Sequence, residues 1–265
     1  MNNITIADTF LPSSGSQVFV RQWQPAEQTG LSPIVLLHDS LGSVELWRDF
    51  PLRLAAKTGR RVIAYDRVGF GRSDAHAGVL KPDFVRDEGR TTLDDVCRAL
   101  EVGDMILMGH SVGGGMALSA GATHADRTVG IITLSAQAFV EDRTLDGIRE
   151  AQANFQDEAQ VARLAKYHGD KARWVLDAWI ETWLAPSFAD WSLDADLAGL
   201  QCPVLTIHGE NDEFGSKAHP DRISSLAASP VQVVMIENGG HMPNKEQPER
   251  VLELVADFID TNRLV

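Results

Sequence analysis

Six short, unbroken apolar runs limit what this 265-residue chain can fold into. They read PIVLLH (33–38), RVIAYD (61–66), DMILMG (104–109), VGIITLS (129–135), PVLTIHG (203–209) and VQVVMIE (231–237). A strand with one solvated face alternates polar and apolar residues, whereas an unbroken apolar strand is covered on both faces. Helical patterns separate the runs, near 44–58, 83–100, 113–125, 216–228 and 246–262. The last of them sets Val251, Leu254, Val255 and Phe258 on one face. Such alternation predicts an α/β protein: a mostly parallel, doubly wound sheet of about eight strands with helices on both faces. A further run, QVFVRQW (17–23), alternates and is expected as an edge strand. Sites in sheets of this kind lie beyond the carboxyl ends of the strands.

Residues 141–200 break the pattern. They carry no strand signal and hold four of the six tryptophans, Trp174, Trp179, Trp183 and Trp191, together with Phe155, Tyr167 and Phe188. This predicts a helical cap inserted into a core domain made of 1–140 and 201–265. The competing expectation is a helical layer whose rings fill a core, as tryptophans at helical spacing usually do.

Acidic residues outnumber basic ones, 37 to 24, and the net charge of −13 argues against nucleic acid or an anionic membrane as the main partner. A small neutral substrate is compatible with it. The start of the chain, MNNITIADTF, lacks the basic and apolar regions of a secretory signal. No apolar run approaches the roughly 20 residues that span a bilayer. Cys97 and Cys202 are expected as buried thiols rather than a disulfide, which fits a cytoplasmic location.

The chemistry is concentrated at strand ends. Gly109-His110-Ser111-Val112-Gly113 matches G-x-S-x-G between the run 104–109 and a helical run, the strand–turn–helix setting of a nucleophile elbow. Flanking glycines remove the Cβ atoms that a tight turn would bring into collision. A serine hydroxyl needs a base. His241, in a glycine-bracketed loop after the last run, would take its proton, and Asp212, just past the run 203–209, would orient the ring. Glu210 and Glu213 are rival acids, and Glu141 lies further off; Gln137 stands where an acid can follow the sixth strand. His110 and His208 are poorer bases. The tetrahedral oxyanion needs donors, expected from the Val112 amide and, in the loop after 33–38, the Ser40 amide.

Taken together, His38 with Gly42, DRVGFGRSD (66–74), GHSVGG (109–114), GEND (209–212) and GGH (239–241) resemble the α/β-hydrolase superfamily over nearly the whole chain. The resemblance implies Ser111 as nucleophile, Asp212 as acid, His241 as base, amides of Ser40 and Val112 as oxyanion hole, and neither cofactor nor metal. One departure stands out: the family usually has His-Gly at the oxyanion loop, and this chain has His38-Asp39. Asp39 either faces outward or sets a carboxylate at the pocket mouth, where it would disfavour anionic substrates. His38, Asp39, Trp179, Trp183, Phe188 and Met242 are the expected pocket residues.

A serine at the elbow argues against the haloalkane dehalogenases and epoxide hydrolases of this fold, which use aspartate. The expected function is hydrolysis of carboxylic esters, lactones or thioesters bearing an apolar group, through an acyl-enzyme. Three alternatives stay open: a carbon–carbon bond hydrolase of aromatic ring-cleavage products, a cofactor-free perhydrolase (haloperoxidase), and a non-enzymatic hydrolase-like binding protein. Arg173 or Lys171 aimed at a substrate carboxylate would favour the first. An exposed aromatic patch on the cap, if the fold leaves one, would offer a surface for a homodimer.

Overall fold

The computed structural model describes residues 3–27 and 30–264. Its eight strands are β1 (Ile4–Ser13), β2 (Ser16–Pro25), β3 (Ile34–Leu37), β4 (Val62–Tyr65), β5 (Met105–His110), β6 (Thr128–Leu134), β7 (Val204–Gly209) and β8 (Val231–Ile236). They form one sheet in the order β1-β2-β4-β3-β5-β6-β7-β8. From β4 to β8 every pairing is parallel, while β1 and β2 are antiparallel to their neighbours. Every residue of β3, β4, β5 and β7 is buried, as unbroken apolar runs require.

The amino-terminal edge differs from expectation. Residues 17–23 lie in β2, which sits between β1 and β4 rather than at the edge. The edge strand is β1, joined to β2 by Ser14 and Gly15, whose φ angles of 49° and 87° are those of a two-residue hairpin turn. Six of the ten β1 residues are exposed, so its sequence carries little apolar periodicity.

The first four helices are α1 (Phe50–Thr58), α2 (Phe84–Arg90), α3 (Thr92–Ala99) and α4 (Val112–Thr123). Between β6 and β7 the chain forms α5 (Asp142–Asn154), α6 (Glu158–His168), α7 (Ala172–Leu184) and α8 (Asp194–Leu197). The remainder are α9 (Ala218–Leu226), α10 (Pro243–Glu246) and α11 (Pro248–Thr261). Two expected helices are divided. The pattern at 44–58 splits into a 3-10 turn, Val44–Trp47, and α1, because Arg48 turns the backbone to φ 54°. That at 83–100 breaks at Thr91, with φ −121° and ψ −91°. No helix of the described residues is long and apolar enough to cross a membrane.

Alternate strand residues feed two cores. Val35 and Leu107 face α3, α4 and the helices between β6 and β7, and Ile106 and Met108 face α1 and α11. Cys97 and Cys202 are buried and unpaired. Trp183, Phe188 and Trp191 pack on one another at 5.2–5.6 Å between ring centroids, and all three are buried. They fill a local core instead of forming an exposed patch.

Helix α4 approaches the sheet more closely than any side chain would permit. A Cβ on Gly113 would lie 2.2 Å from the Leu37 carbonyl oxygen and 2.5 Å from that of His38. Gly113→Ala is therefore expected to cost about 1–3 kcal/mol, read from the urea midpoint of unfolding; an unchanged midpoint would contradict this packing.

Candidate active site

Ser111 is the single residue between β5 and α4. Its φ of 56° and ψ of −126° are unfavourable for a side chain with a Cβ, and a strained residue of this kind persists only where its surroundings over-determine it. They do. A Cβ on Gly109 would lie 2.0 Å from the Gly113 carbonyl oxygen, so the turn closes only with glycine at that position. The Ser111 N–H donates to the Leu134 carbonyl at 2.8 Å, which fixes the tip against β6.

The expected acid and base are in contact. His241 Nδ1 lies 2.9 Å from both Asp212 carboxylate oxygens. Asp212 is fully buried, and its Oδ1 also accepts the N–H groups of Phe214 (2.8 Å) and Gly215 (3.1 Å). Burial alone would raise the Asp212 pKa, but the His241 bond and the neighbouring imidazoles hold it at about 2. For His241 burial disfavours the cation; the Asp212 bond and charge outweigh it, and the ring titrates above the ordinary histidine value. The Phe214 ring lies 4.9 Å from the His241 ring and further shields it.

The chain neighbour of Ser111 ties this pair to the elbow. His110 Nε2–H donates to the His241 carbonyl at 2.7 Å, and its Nδ1 faces Asp39 Oδ2 at 3.2 Å. The Ser111 hydroxyl itself points to Gln137 Oε1 at 3.4 Å. Gln137 was visible in the sequence only as a missing acid; here its amide gives the serine a resting partner.

The rival acids Glu210 and Glu213 are exposed, and the more distant Glu141 has partners of its own. Glu141 accepts from the Ser216 amide at 2.9 Å and faces His219 Nε2 at 3.2 Å. His208 Nε2 lies 3.4 Å from Asp212 Oδ2 and also meets the Gly215 carbonyl at 3.0 Å.

Ser40 and Val112 line one small cavity of about 10 Å³ with Arg67, Phe70, Leu80, Phe84, Ala178, Trp179 and Trp183. Val112 opens α4, so its N–H has no carbonyl within the helix to bond. Of the expected pocket residues, Trp179 and Trp183 thus stand beside both candidate oxyanion donors. The other four are placed elsewhere. Phe188 is buried in the ring cluster. His38 is buried behind the loop, its ring 5.1 Å from Phe70. Met242 is partly exposed, with its sulfur accepting from Lys245. Asp39 turns its carboxylate away from the cavity: Oδ1 accepts the Leu41 N–H at 2.9 Å and Oδ2 meets His110. Burial would raise the Asp39 pKa, but His110 and the charge of Lys245 hold it well below the usual carboxylate range.

Arg173 and Lys171 are likewise committed. Arg173 pairs with the exposed Glu158 at 3.1 Å, and Lys171 Nζ donates to the Gly71 carbonyl at 2.9 Å. His168 beside it accepts the Gly71 N–H at 2.9 Å and donates to the Leu41 carbonyl at 3.0 Å, which tethers α6 to the loop after β3. Among the described residues no cluster of side chains could hold a metal ion.

A sequence model described as the alpha/beta hydrolase family matches residues 34–254. The chain is 26% identical over 259 residues to a 2-(acetamidomethylene)succinate hydrolase from Mesorhizobium japonicum, covering 88% of this chain and 90% of that protein. It is 32% identical over 114 residues to the human (lyso)-N-acylphosphatidylethanolamine lipase, a match spanning 43% of this chain and about a third (32%) of that one. An esterase structure from Thermogutta terrifontis superposes with a TM-score of 0.70 at 21% identity, covering 97% of this chain and 99% of the esterase.

Removing the carboxylate should leave burial as the dominant influence on His241. Asp212→Asn is therefore expected to move the His241 titration, followed by NMR of its ring protons, from above the ordinary value of about 6.5 to below it. A midpoint that stays where it was would show that the pair is not coupled.

Proposed function

The chain belongs to the alpha/beta hydrolase family, and on that premise we propose that it is a serine hydrolase of carboxylic esters, lactones or thioesters carrying an apolar group. The observation that carries the proposal is the Asp212–His241 pair, tied through His110 to the strained residue Ser111. A buried carboxylate bonded to Nδ1 leaves Nε2 of the neutral ring as the proton acceptor, the arrangement a serine nucleophile requires.

In the proposed reaction Ser111 Oγ leaves Gln137, gives its proton to His241 Nε2 and attacks the carbonyl carbon. The oxyanion accepts the N–H groups of Ser40 and Val112. Collapse breaks the bond to the alcohol or thiol, which takes the proton from His241, and leaves an acyl group on Ser111. His241 then deprotonates a water that attacks this acyl group; collapse releases the acid and returns the proton to Ser111. Asp212 keeps its charge throughout and stabilises the imidazolium.

Residues 141–200 act in this proposal as a cap. Trp179, Trp183, Leu80 and Phe84 line the cavity beside Ser40 and Val112 with apolar surface, which supports a substrate with an apolar acyl or alcohol group. The space is small, so an ester enters by displacing Trp179 and Leu80 or by moving α7 outward. The commitments of Arg173 and Lys171 give the carbon–carbon hydrolase reading no support, and the Asp212–His241 pair weighs against a non-enzymatic binder.

Ser111→Ala is expected to lower kcat for p-nitrophenyl butyrate by about four to six powers of ten with the fold retained by circular dichroism. For the unsubstituted chain, kcat/KM should rise with pH through the His241 titration, because only the neutral ring accepts the proton. Full turnover in Ser111→Ala would refute the proposal.

A further inference from the structure

Arg67 is the second residue after β4, in the stretch DRVGFGRSD whose glycines shape a turn. It is a buried cation, 4% exposed, with its guanidinium 4.1 Å from the Phe70 ring centroid. Among the described residues no carboxylate lies within 4.0 Å of it, and its Nε has no hydrogen-bond partner. A buried arginine without a carboxylate is costly, so what it does bond matters.

Its short side-chain bond goes to one peptide, while Nη2 also stands 3.5 Å from His38 Nδ1, too far to compete with that bond. Arg67 Nη2–H donates to the Asp39 carbonyl oxygen at 2.9 Å. That same oxygen accepts His38 Nδ1–H at 2.8 Å and the Gly42 N–H at 3.2 Å. Arg67 also sets the His38 ring, because its backbone N–H donates to His38 Nε2 at 3.2 Å and so leaves the ring proton on Nδ1. Burial and the Arg67 charge keep His38 neutral, which preserves that division of roles.

The Asp39 carbonyl and the Ser40 N–H belong to one peptide unit. The described residues contain no cis peptide, and in a trans peptide the two groups point in opposite directions. Three donors gripping the carbonyl therefore aim the Ser40 N–H the other way. Ser40 lines the cavity shared with Val112, and its N–H has no partner among the described residues.

We propose that Arg67 is a positioning residue that pins and polarises the Asp39–Ser40 peptide, so that the Ser40 N–H is pre-aimed at the oxyanion. The inference rests on the hydrolase reading above and deepens it. A donor fixed before reaction needs no reorganisation when charge develops, and a cation bonded to the carbonyl draws electron density from the amide and strengthens its N–H as a donor. This also accounts for aspartate in place of glycine after His38. Its side chain caps Leu41 and meets His110, while its backbone is held by Arg67.

The test compares Arg67→Met, Arg67→Gln and Arg67→Lys in the full chain, with p-nitrophenyl butyrate and p-nitrophenyl hemisuccinate as substrates. Losing an oxyanion donor outright costs about 10²–10³ in kcat; misaiming one should cost Arg67→Met about ten- to a hundredfold. KM should stay within about twofold, and fluorophosphonate labelling of Ser111 should slow in parallel. Arg67→Lys, which keeps a cationic donor, should recover most of the rate, and Arg67→Gln less. If the Met variant does not fold, the Lys–Gln comparison decides the matter alone. In 15N-labelled protein the Ser40 amide proton should move upfield in the neutral variants, a readout independent of turnover. Unchanged kcat in both neutral variants would overturn the proposal. So would a KM rise confined to the hemisuccinate, which would make Arg67 a receptor for substrate charge. Failure of the unsubstituted chain to label at Ser111 would instead refute the hydrolase reading, and the Ser40 shift would still test the peptide contact.

Discussion

The close approach of α4 to the sheet is the constraint on which the rest of this site depends. One residue joins β5 to α4, and glycines at 109 and 113 let the helix start directly above the strand ends. That geometry forces φ 56° on Ser111, exposes the first amide of α4 and brings the loop after β3 alongside it. A side chain at either glycine would collide with backbone rather than with a movable group, so the arrangement cannot relax by rotamer changes.

Around this corner the fold buries several ionisable groups, each compensated in its own way. Asp212 is paid for by His241 and two backbone amides. Asp66, raised in pKa by its burial, receives the Val44 and Arg72 amides and thereby fastens the loop after β3 to the turn after β4. Burial likewise raises the pKa of Glu88, although the Arg67 charge and the Tyr65 hydroxyl, bonded at 2.7 Å, oppose it. Arg67 has its carbonyl and its aromatic ring. These contacts stiffen the loops that a sheet of this class leaves at its carboxyl edge, and they do so without drawing on the hydrophobic core.

How far the sequence could be read follows from which interactions are local. The parallel strands were legible because burial on both faces writes itself as unbroken apolar runs. The elbow was legible because its glycines and serine are adjacent in the chain. β1 was not, since its stability comes from a hairpin turn and from pairing with β2, while most of its side chains face water. The breaks at Arg48 and Thr91 were hidden because apolar spacing continues across them. Phe188 looked like a pocket residue because composition places aromatics in the inserted segment without saying which face they take. Gln137 and Arg67 were missed as site residues for a common reason: their partners lie 26 and 28 positions away, at other strand ends. The signal for Arg67 was present, a charged residue at the carboxyl end of a buried strand, but its chain position does not say which backbone group it meets.

The most direct measurement of the central claim is the mass of the enzyme quenched in acid during turnover of p-nitrophenyl butyrate, followed by peptide mapping. A butyryl group on the peptide containing Ser111, absent when Ser111 is alanine, is the predicted result. Hydrolysis proceeding with no acyl group on Ser111, or with one on a different residue, would contradict the account.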